Sequence, residues 1–205
     1  LNNNPVGIPD YPIFAGHESN LIAWYKFDGD FNDSSGNNHH LVIGGGTPEF
    51  SSSDFIIGQS ANFLDGNNWF KTNSLNFDGA NWCFTLWYKS TNTSATDVDW
   101  ILCQTPNADN HYGCLYYGGG GTYEFHLAKS STYYNQATST DSSYASDRGN
   151  WVHIAVQQMS DGHIELYRNG VKIATSSDTT ITSDFTGTSL DFGYFLRRTR
   201  DAFGL

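Results

Sequence analysis

The chain is poor in charge, and in basic residues above all. Lys and Arg together number 10 against 21 Asp and Glu, charged residues make up only 15% of the 205 positions, and the net charge is −11. Nucleic acids and anionic membranes reward clustered Lys and Arg, so neither is expected as a partner. The one basic cluster, Arg197, Arg198 and Arg200, reads as a solvated loop. No apolar run approaches the length that spans a bilayer, which excludes a membrane-inserted helix as the organising element. Long 3.6-residue apolar periodicity is also missing, which leaves an all-β reading. The three cysteines show no C-x-x-C spacing, so a structural zinc site is not expected. No secretory leader is visible.

Aromatic residues, by contrast, reach 16%, and Ser, Thr, Asn and Gly fill the stretches between apolar runs, a mixture that suits sheets and turns. The clearest stretch is WVHIAVQQMSDGHIELYRNGVKIAT, residues 151–175. Asn169-Gly170 carries the signature of a type I′ turn and sets Leu166 opposite Ile173. Around Asp161-Gly162 a two-residue loop would put Gln157 against Leu166. A three-residue loop aligns Val156 with Leu166, Gln158 with Ile164 and Ile154 with Arg168, with Gly162 free to be left-handed. Ile154, Val156, Ile164, Leu166, Val171 and Ile173 then share a dry face. Trp151, His153, Gln157, Glu165, Tyr167 and Lys172 share the opposite, wetter one. Such a meander cannot cover its own apolar face, so a second layer is required, and the expected architecture is an antiparallel two-sheet β-sandwich.

Along the chain, residues 1–19 hold Pro5, Pro9 and Pro12 and read as an arm or linker, and 20–205 as one domain. Leu21–Phe27 is expected to be a first, edge-near strand, Leu41–Ile43 and Phe55–Ile57 short strands, and Ala61–Leu64 with Trp69–Thr72 a hairpin. Cys83–Tyr88 is the strongest strand of the first half. Trp100–Gln104, Tyr112–Tyr117 and Tyr123–Lys129 form a meander, 130–149 a long polar loop, and Leu190–Phe195 the last strand. Cys103 and Cys114 can form a cross-strand disulfide if that meander pairs them, which leaves Cys83 over. Free buried thiols fit the sequence equally well.

Several of these stretches resemble the laminin-G-like (pentraxin-type) branch of the concanavalin A-like lectin/glucanase jelly rolls. WVHIAVQQMSDGHIELYRNGVKIA is similar to the family's Trp-His strand and the Tyr-x-Asn/Asp-Gly turn that follows, LIAWYKFDGDFNDSSGNNHH to its opening strand and Asp-Ser-Ser-Gly-Asn turn. SANFLDGNNWF and NWCFTLWYKS match its next two strand motifs. The family's closing strand is expected beyond Leu205, so an edge is expected to be open, available with the proline arm to neighbouring subunits. The glucanase branch carries a Glu-x-Asp-x-x-Glu strand for acid and nucleophile roles. Here Glu18, Glu49, Glu124 and Glu165 lie far apart, and Gly58-Gln59-Ser60-Ala61-Asn62 lacks the closing glycine of a hydrolase elbow. The chain is therefore expected to be non-catalytic.

Two constellations remain. Asp28, Asp30, Asn32 and Asp33 place oxygen ligands at the spacing a hard cation prefers, and the resemblance implies a structural calcium (Ca2+) near this turn. The same side chains also serve as Asx-turn acceptors without a metal. For recognition, pyranose rings want an aromatic face plus polar side chains. The candidates are Tyr116, Tyr117, Tyr133, Tyr134 and Tyr144, with Asp109, Asn110 and Asn135 near them. The Tyr133-Tyr134 pair leads, because a Ser, Thr and Asp loop offers it no core. His39-His40 read as loop residues, since neighbours in a strand point to opposite faces, while His126 and His153 belong to outward strand faces. Asn92-Thr93-Ser94 and Asn32-Asp33-Ser34 fit the glycosylation sequon. The expected function is a recognition module for a glycan or glycoprotein, extracellular or surface-displayed. The rival is a structural domain of a cell surface or virion without a small ligand, and a glycan-acting enzyme stands third.

Overall fold

Alternation over residues 151–175 becomes three adjacent strands in the computed structural model, which describes residues 20–62, 68–72, 75, 81–90, 99–105, 113–117, 121–129, 132–139, 142–179 and 189–192. In chain order the strands are β1 (Val42–Gly45), β2 (Glu49–Ser51), β3 (Ser60–Asn62), β4 (Trp69–Thr72), β5 (Cys83–Tyr88), β6 (Asp99–Thr105) and β7 (Gly113–Tyr117). They continue with β8 (Tyr123–Lys129), β9 (Thr132–Thr138), β10 (Val152–Gln158), β11 (Ile164–Arg168), β12 (Val171–Thr175) and β13 (Ser189–Phe192). A 3-10 helix, Ser142–Asp147, sits between β9 and β10. One sheet has the order β1-β4-β13-β6-β7-β8-β9, a second β12-β11-β10-β5, and β2-β3 make a small third. Every described strand pair is antiparallel.

The two large sheets face each other across one core. Leu115, Tyr117, Tyr123, Phe125, Leu127 and Ala137 come from the seven-stranded sheet, and Val152, Ile154, Val156, Ile164 and Leu166 from the four-stranded one. Each fully buried aliphatic side chain stabilises by about 1.5–3 kcal/mol, so this seam is the main attraction between layers. A polar clasp closes one end. Tyr123 Oη donates to Asp147 at 2.8 Å and Arg168 Nε to the same carboxylate at 2.7 Å, which ties β8 and β11 to the 3-10 helix. Beside it, Tyr88 Oη donates to Asp99 at 2.6 Å, with Ser90 Oγ on the same oxygen.

The expected register of the central hairpin holds. Val156 pairs with Leu166, Gln158 with Ile164 and Ile154 with Arg168, and Asn169 and Gly170 both have positive φ, 49° and 79°. One position shifts. A bulge between Leu166 and Tyr167 sets Leu166 opposite Ala174 rather than Ile173, and Val171 is 66% exposed, outside the dry face. The β6-β7-β8 meander forms as expected, and β13 overlaps the expected last strand over 190–192.

Other expectations are corrected. Leu21–Phe27 makes an isolated bridge, Tyr25 to Asp33, instead of a strand, because Phe27 turns at φ 58° and Trp24 bonds to the following loop. Residues 55–57 bend, since Ser51 Oγ accepts from Asp54 N at 3.1 Å and starts a turn. The hairpin expected between 61–64 and 69–72 does not form: β3 pairs with β2, and β4 with β1 and β13. The polar run 130–149 supplies β9 and the 3-10 helix, because small Ala137 and Ser139 fit the buried positions against β8. The arm 1–19, the sequon at 92–94 and the arginine cluster lie outside the described residues.

Candidate functional site

Strict alternation on β5 and β10 creates a face as well as a core. Phe84, Leu86 and Tyr88 point into the seam, so Cys83, Thr85 and Trp87 point away from it. Val152, Ile154 and Val156 do the same for β10, leaving His153, Ala155 and Gln157 outside. Register then lines these up in rows: Trp87 beside His153, Thr85 beside Ala155 beside Tyr167 beside Lys172, and Cys83 beside Gln157 beside Glu165. Trp87 is 48% exposed. Its ring centroid lies 5.3 Å from that of His153, at 59°. Asn169 fixes the His153 backbone in both directions, accepting from His153 N at 3.0 Å and donating to His153 O at 2.8 Å. Partial burial lowers the His153 pKa, so the imidazole is neutral at neutral pH.

Glu165 organises the other end of the face. Lys172 Nζ (2.9 Å), Gln157 Nε2 (2.7 Å) and Tyr167 Oη (2.5 Å) all donate to its carboxylate. Those three partners, Lys172 first, hold its pKa down to about 2 against the opposing effect of burial. The Tyr167 hydroxyl is correspondingly pushed up. Gln157 Nε2 also donates to Tyr167 Oη at 3.2 Å, so these side chains are immobilised by one another. Between Trp87 and this cluster Ala155 leaves a low floor. The result is an exposed aromatic ring, small side chains beside it and a fixed set of amide, hydroxyl and carboxylate groups, which is the equipment for an amphipathic ring with hydroxyl substituents.

The sequence-selected binding residues lie elsewhere. Tyr116 sits in β7 between Trp100 and Glu124 in the seven-stranded sheet. Tyr133, Tyr134 and Asn135 lie in β9 at that sheet's edge, Tyr133 opposite Ala128 and Asn135 opposite Leu127. They stand on a strand, not on the expected loop. Tyr144 is in the 3-10 helix. Tyr117 is a core residue: alternation on β7 sends it inward with Leu115, fully buried, its ring 4.8 Å from Tyr123 and 4.8 Å below the Arg148 guanidinium. Asp109 and Asn110 lie outside the described residues. On β8, Glu124 receives Thr122 Oγ1 at 3.2 Å and Thr138 Oγ1 at 3.4 Å, and stands 3.1 Å from His126 Nε2. Trp87 was missed by sequence reasoning. Its signal was the larger apolar trio Phe84, Leu86 and Tyr88, which claims the inward parity.

In the loop proposed to hold calcium the carboxylates accept hydrogen bonds from backbone and side-chain donors. Asp33 Oδ1 accepts from Trp24 N (2.9 Å) and Ser35 N (2.8 Å), and Oδ2 from Ser35 Oγ (2.8 Å) and His39 N (3.0 Å). Burial pushes its pKa up, but these bonds together bring it below the ordinary carboxylate value. Asp30 accepts from Asn32 N and Nδ2 at 3.0 and 2.8 Å, and Asp28 from Gln59 N at 3.0 Å. Both Asp33 oxygens are committed to N–H and O–H donors, so that residue does not fit a cation ligand. Among the described residues no group of three His, Cys, Asp or Glu side chains converges as a metal would require. His39 and His40 serve the same loop, through the His39 carbonyl that accepts from Tyr25 Oη at 2.5 Å and the His40 Nδ1 that accepts from Asp33 N at 3.0 Å. Among the described residues no helix is long and apolar enough to cross a membrane.

Comparison with known proteins agrees with the sandwich fold. Residues 64–201 match the family model described as the concanavalin A-like lectin/glucanases superfamily. Among solved structures, domain 4 of AbnA, an extracellular GH43 arabinanase from Geobacillus stearothermophilus in complex with arabinotriose, superposes with a TM-score of 0.64 at 21% identity. The match covers 84% of this chain and 82% of that one. The binding domain of botulinum neurotoxin serotype D gives 0.61 at 16% identity, over 79% of this chain and 40% of that one. That of neurotoxin DC in complex with SialylT gives 0.60 at 16%, over 78% and 39%. The chain thus spans about two fifths of the toxin domains' length. At these identities the likeness shows the fold. No curated protein matches the sequence.

Proposed function

The chain belongs to the concanavalin A-like lectin/glucanases superfamily, and from that premise we propose that it is a non-catalytic module that recognises glycans, free or on glycoproteins, outside the cell or on a surface. The observation that carries this reading is Trp87, an exposed indole tilted against a neutral His153 at the rim of an immobilised polar cluster. Two structural neighbours were solved with saccharides, arabinotriose and SialylT, which supports a saccharide ligand in general. The non-catalytic part rests on where the carboxylates stand. Glu49 is in the small sheet, Glu124 in the seven-stranded sheet and Glu165 on the four-stranded one, and Glu165 is already satisfied by its partners. Retaining and inverting glycosidases need two carboxyls, Asp or Glu, within about 5–9.5 Å across one bond, and where Asp161 and Glu165 approach each other on this face the His163 ring fills the interval between them. Calcium at residues 28–33 is left out of the proposal, since the Asp33 acceptors are taken.

A glycan array probed with the whole chain, in calcium and in EGTA, tests the reading. Trp87→Ala is expected to abolish the hits, and chelation to leave them unchanged. Hits retained by Trp87→Ala but lost in a Tyr133, Tyr134 double alanine variant would move the site to β9. One observation favours the structural rival: the seven-stranded sheet begins with β1, whose Val42 and Ile43 are about half exposed, and an apolar edge invites strand pairing. An empty array together with concentration-dependent assembly in light scattering would establish that rival.

A further inference from the structure

The charge on the Trp87 face and the spacing of its two aromatic groups narrow the ligand further, an inference that rests on the glycan-binding reading. Acidic sugars are held by cations, and the described basic side chains near this face already have carboxylate partners. Lys172 lies 2.9 Å from Glu165, Lys89 2.6 Å from Asp54, and His163 between Asp161 at 2.5 Å and Glu165 at 3.5 Å. His153 is the remaining basic side chain in the rows beside Trp87, and it is held neutral. The carboxylates of Asp161 and Glu165 and the chain's net charge of −11 repel an anion on approach.

Distance sets the length. Trp87 pairs with His153, while Tyr167 pairs with Ala155, two residues further along and one strand further across. Two strand spacings and two residue rises separate Trp87 from Tyr167 by about 12 Å, more than one sugar ring covers. Thr85 and Ala155 floor the interval with small side chains.

We infer that this face takes an uncharged linear oligosaccharide that stacks on Trp87 at one end and reaches Tyr167 and Gln157 at the other, and that it selects such chains over sialylated, uronic or sulfated ones. Stacking on Trp87 supplies affinity at one subsite, and Gln157 and Tyr167, pinned by Glu165, meet hydroxyls at a second without losing side-chain freedom.

The test is titration calorimetry of the full chain with neutral pentose and hexose oligomers of one to six units, and with uronic and sulfated oligomers of the same lengths. Affinity for neutral chains is expected to rise from one unit to about three or four, spanning the aromatic separation, and then to level. Trp87→Ala and Tyr167→Ala are each expected to lower it at least tenfold for the longer oligomers, with Trp87→Phe largely restoring it. Glu165→Gln, which releases Lys172, is expected to improve binding of the acidic series, and circular dichroism of each variant separates loss of fold from loss of binding. Acidic chains that bind as well as neutral ones, or affinity independent of length, would overturn the inference while leaving glycan recognition standing. Affinity that Trp87→Ala leaves unchanged moves the glycan site off this face and overturns both the inference and the placement on which it rests. No binding by either series overturns the inference and the glycan reading together.

Discussion

Replacing Asp33 by alanine removes four hydrogen bonds at once, and three of their donors are the backbone N–H groups of Trp24, Ser35 and His39. Hydrogen bonds to a charged acceptor contribute roughly 1.5–3 kcal/mol each when buried. This loop is partly open to water, which re-solvates some donors. The expected cost is therefore about 2–4 kcal/mol rather than the full sum. The loss reaches the core, because the segment carries Phe31, whose ring packs 4.3 Å from Phe70 and 4.7 Å from Phe50. Asp33→Asn keeps one acceptor oxygen and turns the other position into a donor facing His39 N–H, so it should cost at least half as much. Because its folded-state pKa lies below the unfolded value, Asp33 contributes its stability above about pH 4, and the contribution is lost as pH falls through the lowered folded pKa. Urea denaturation followed by tryptophan fluorescence, in millimolar calcium and in EGTA, measures all of this. The wild-type midpoint is expected to be the same in both buffers, and both variants to shift to lower urea with an unchanged slope. A wild-type midpoint raised by calcium, with the gain lost in Asp33→Asn, would refute the hydrogen-bond account and restore the ion.

Three further outcomes are expected. Gly170→Ala meets no neighbouring atom but forces a side chain to φ +79°, so it should cost about 1–2 kcal/mol in chemical denaturation and leave glycan binding intact. Glu165, with its pKa held to about 2, stabilises the fold above its unfolded value of about 4.3 and loses that contribution as pH falls toward 2. After solvent screening at an outer sheet face this contribution is about 1–2 kcal/mol, and comparison of Glu165→Gln with wild type at pH 7 and pH 3 should show the difference shrinking at the lower pH. Cys103 and Cys114 are direct cross-strand partners on β6 and β7, which places their Cα atoms at about 4.5–5.5 Å, inside the range a disulfide spans. Cys83 is free on β5 in the other sheet, so alkylation of denatured, non-reduced protein should modify one cysteine, and three after reduction.

The parts of the fold that were legible in the sequence were the local ones. Asn169-Gly170 and the alternation of Ile154, Val156, Ile164 and Leu166 specify a register between neighbours in the chain, and that register is found. Pairing across long separations was not legible. β13 enters between β4 and β6, a choice that depends on closure of a long loop rather than on any pattern within 189–192. β9 was hidden for another reason: its buried positions include small Ala137 and are followed by Ser139, which carry no hydrophobic signal. The same holds for the site. Six residues of the outward face, among them His153, Gln157, Glu165 and Tyr167, could be read from the hairpin alone, but Trp87 reaches them only through the β5-β10 ladder, which joins residues some 70 positions apart.

Scarcity of positive charge connects the stability of the domain with the ligand it suits. The Lys and Arg side chains that the structure describes all lie against a carboxylate or an aromatic ring. Lys26 lies 4.4 Å over Trp24 and Lys71 5.6 Å over Trp69. Lys89, Arg148, Arg168 and Lys172 face Asp54, Asp99, Asp147 and Glu165. Recruiting any of these last four to an anionic ligand would strip a carboxylate of its partner, and at Asp147, which is buried, that loss would be severe. An uncharged ligand asks for no such exchange. It needs an exposed ring, small floor residues and fixed polar groups, and the Trp87 face supplies these without disturbing those ion pairs.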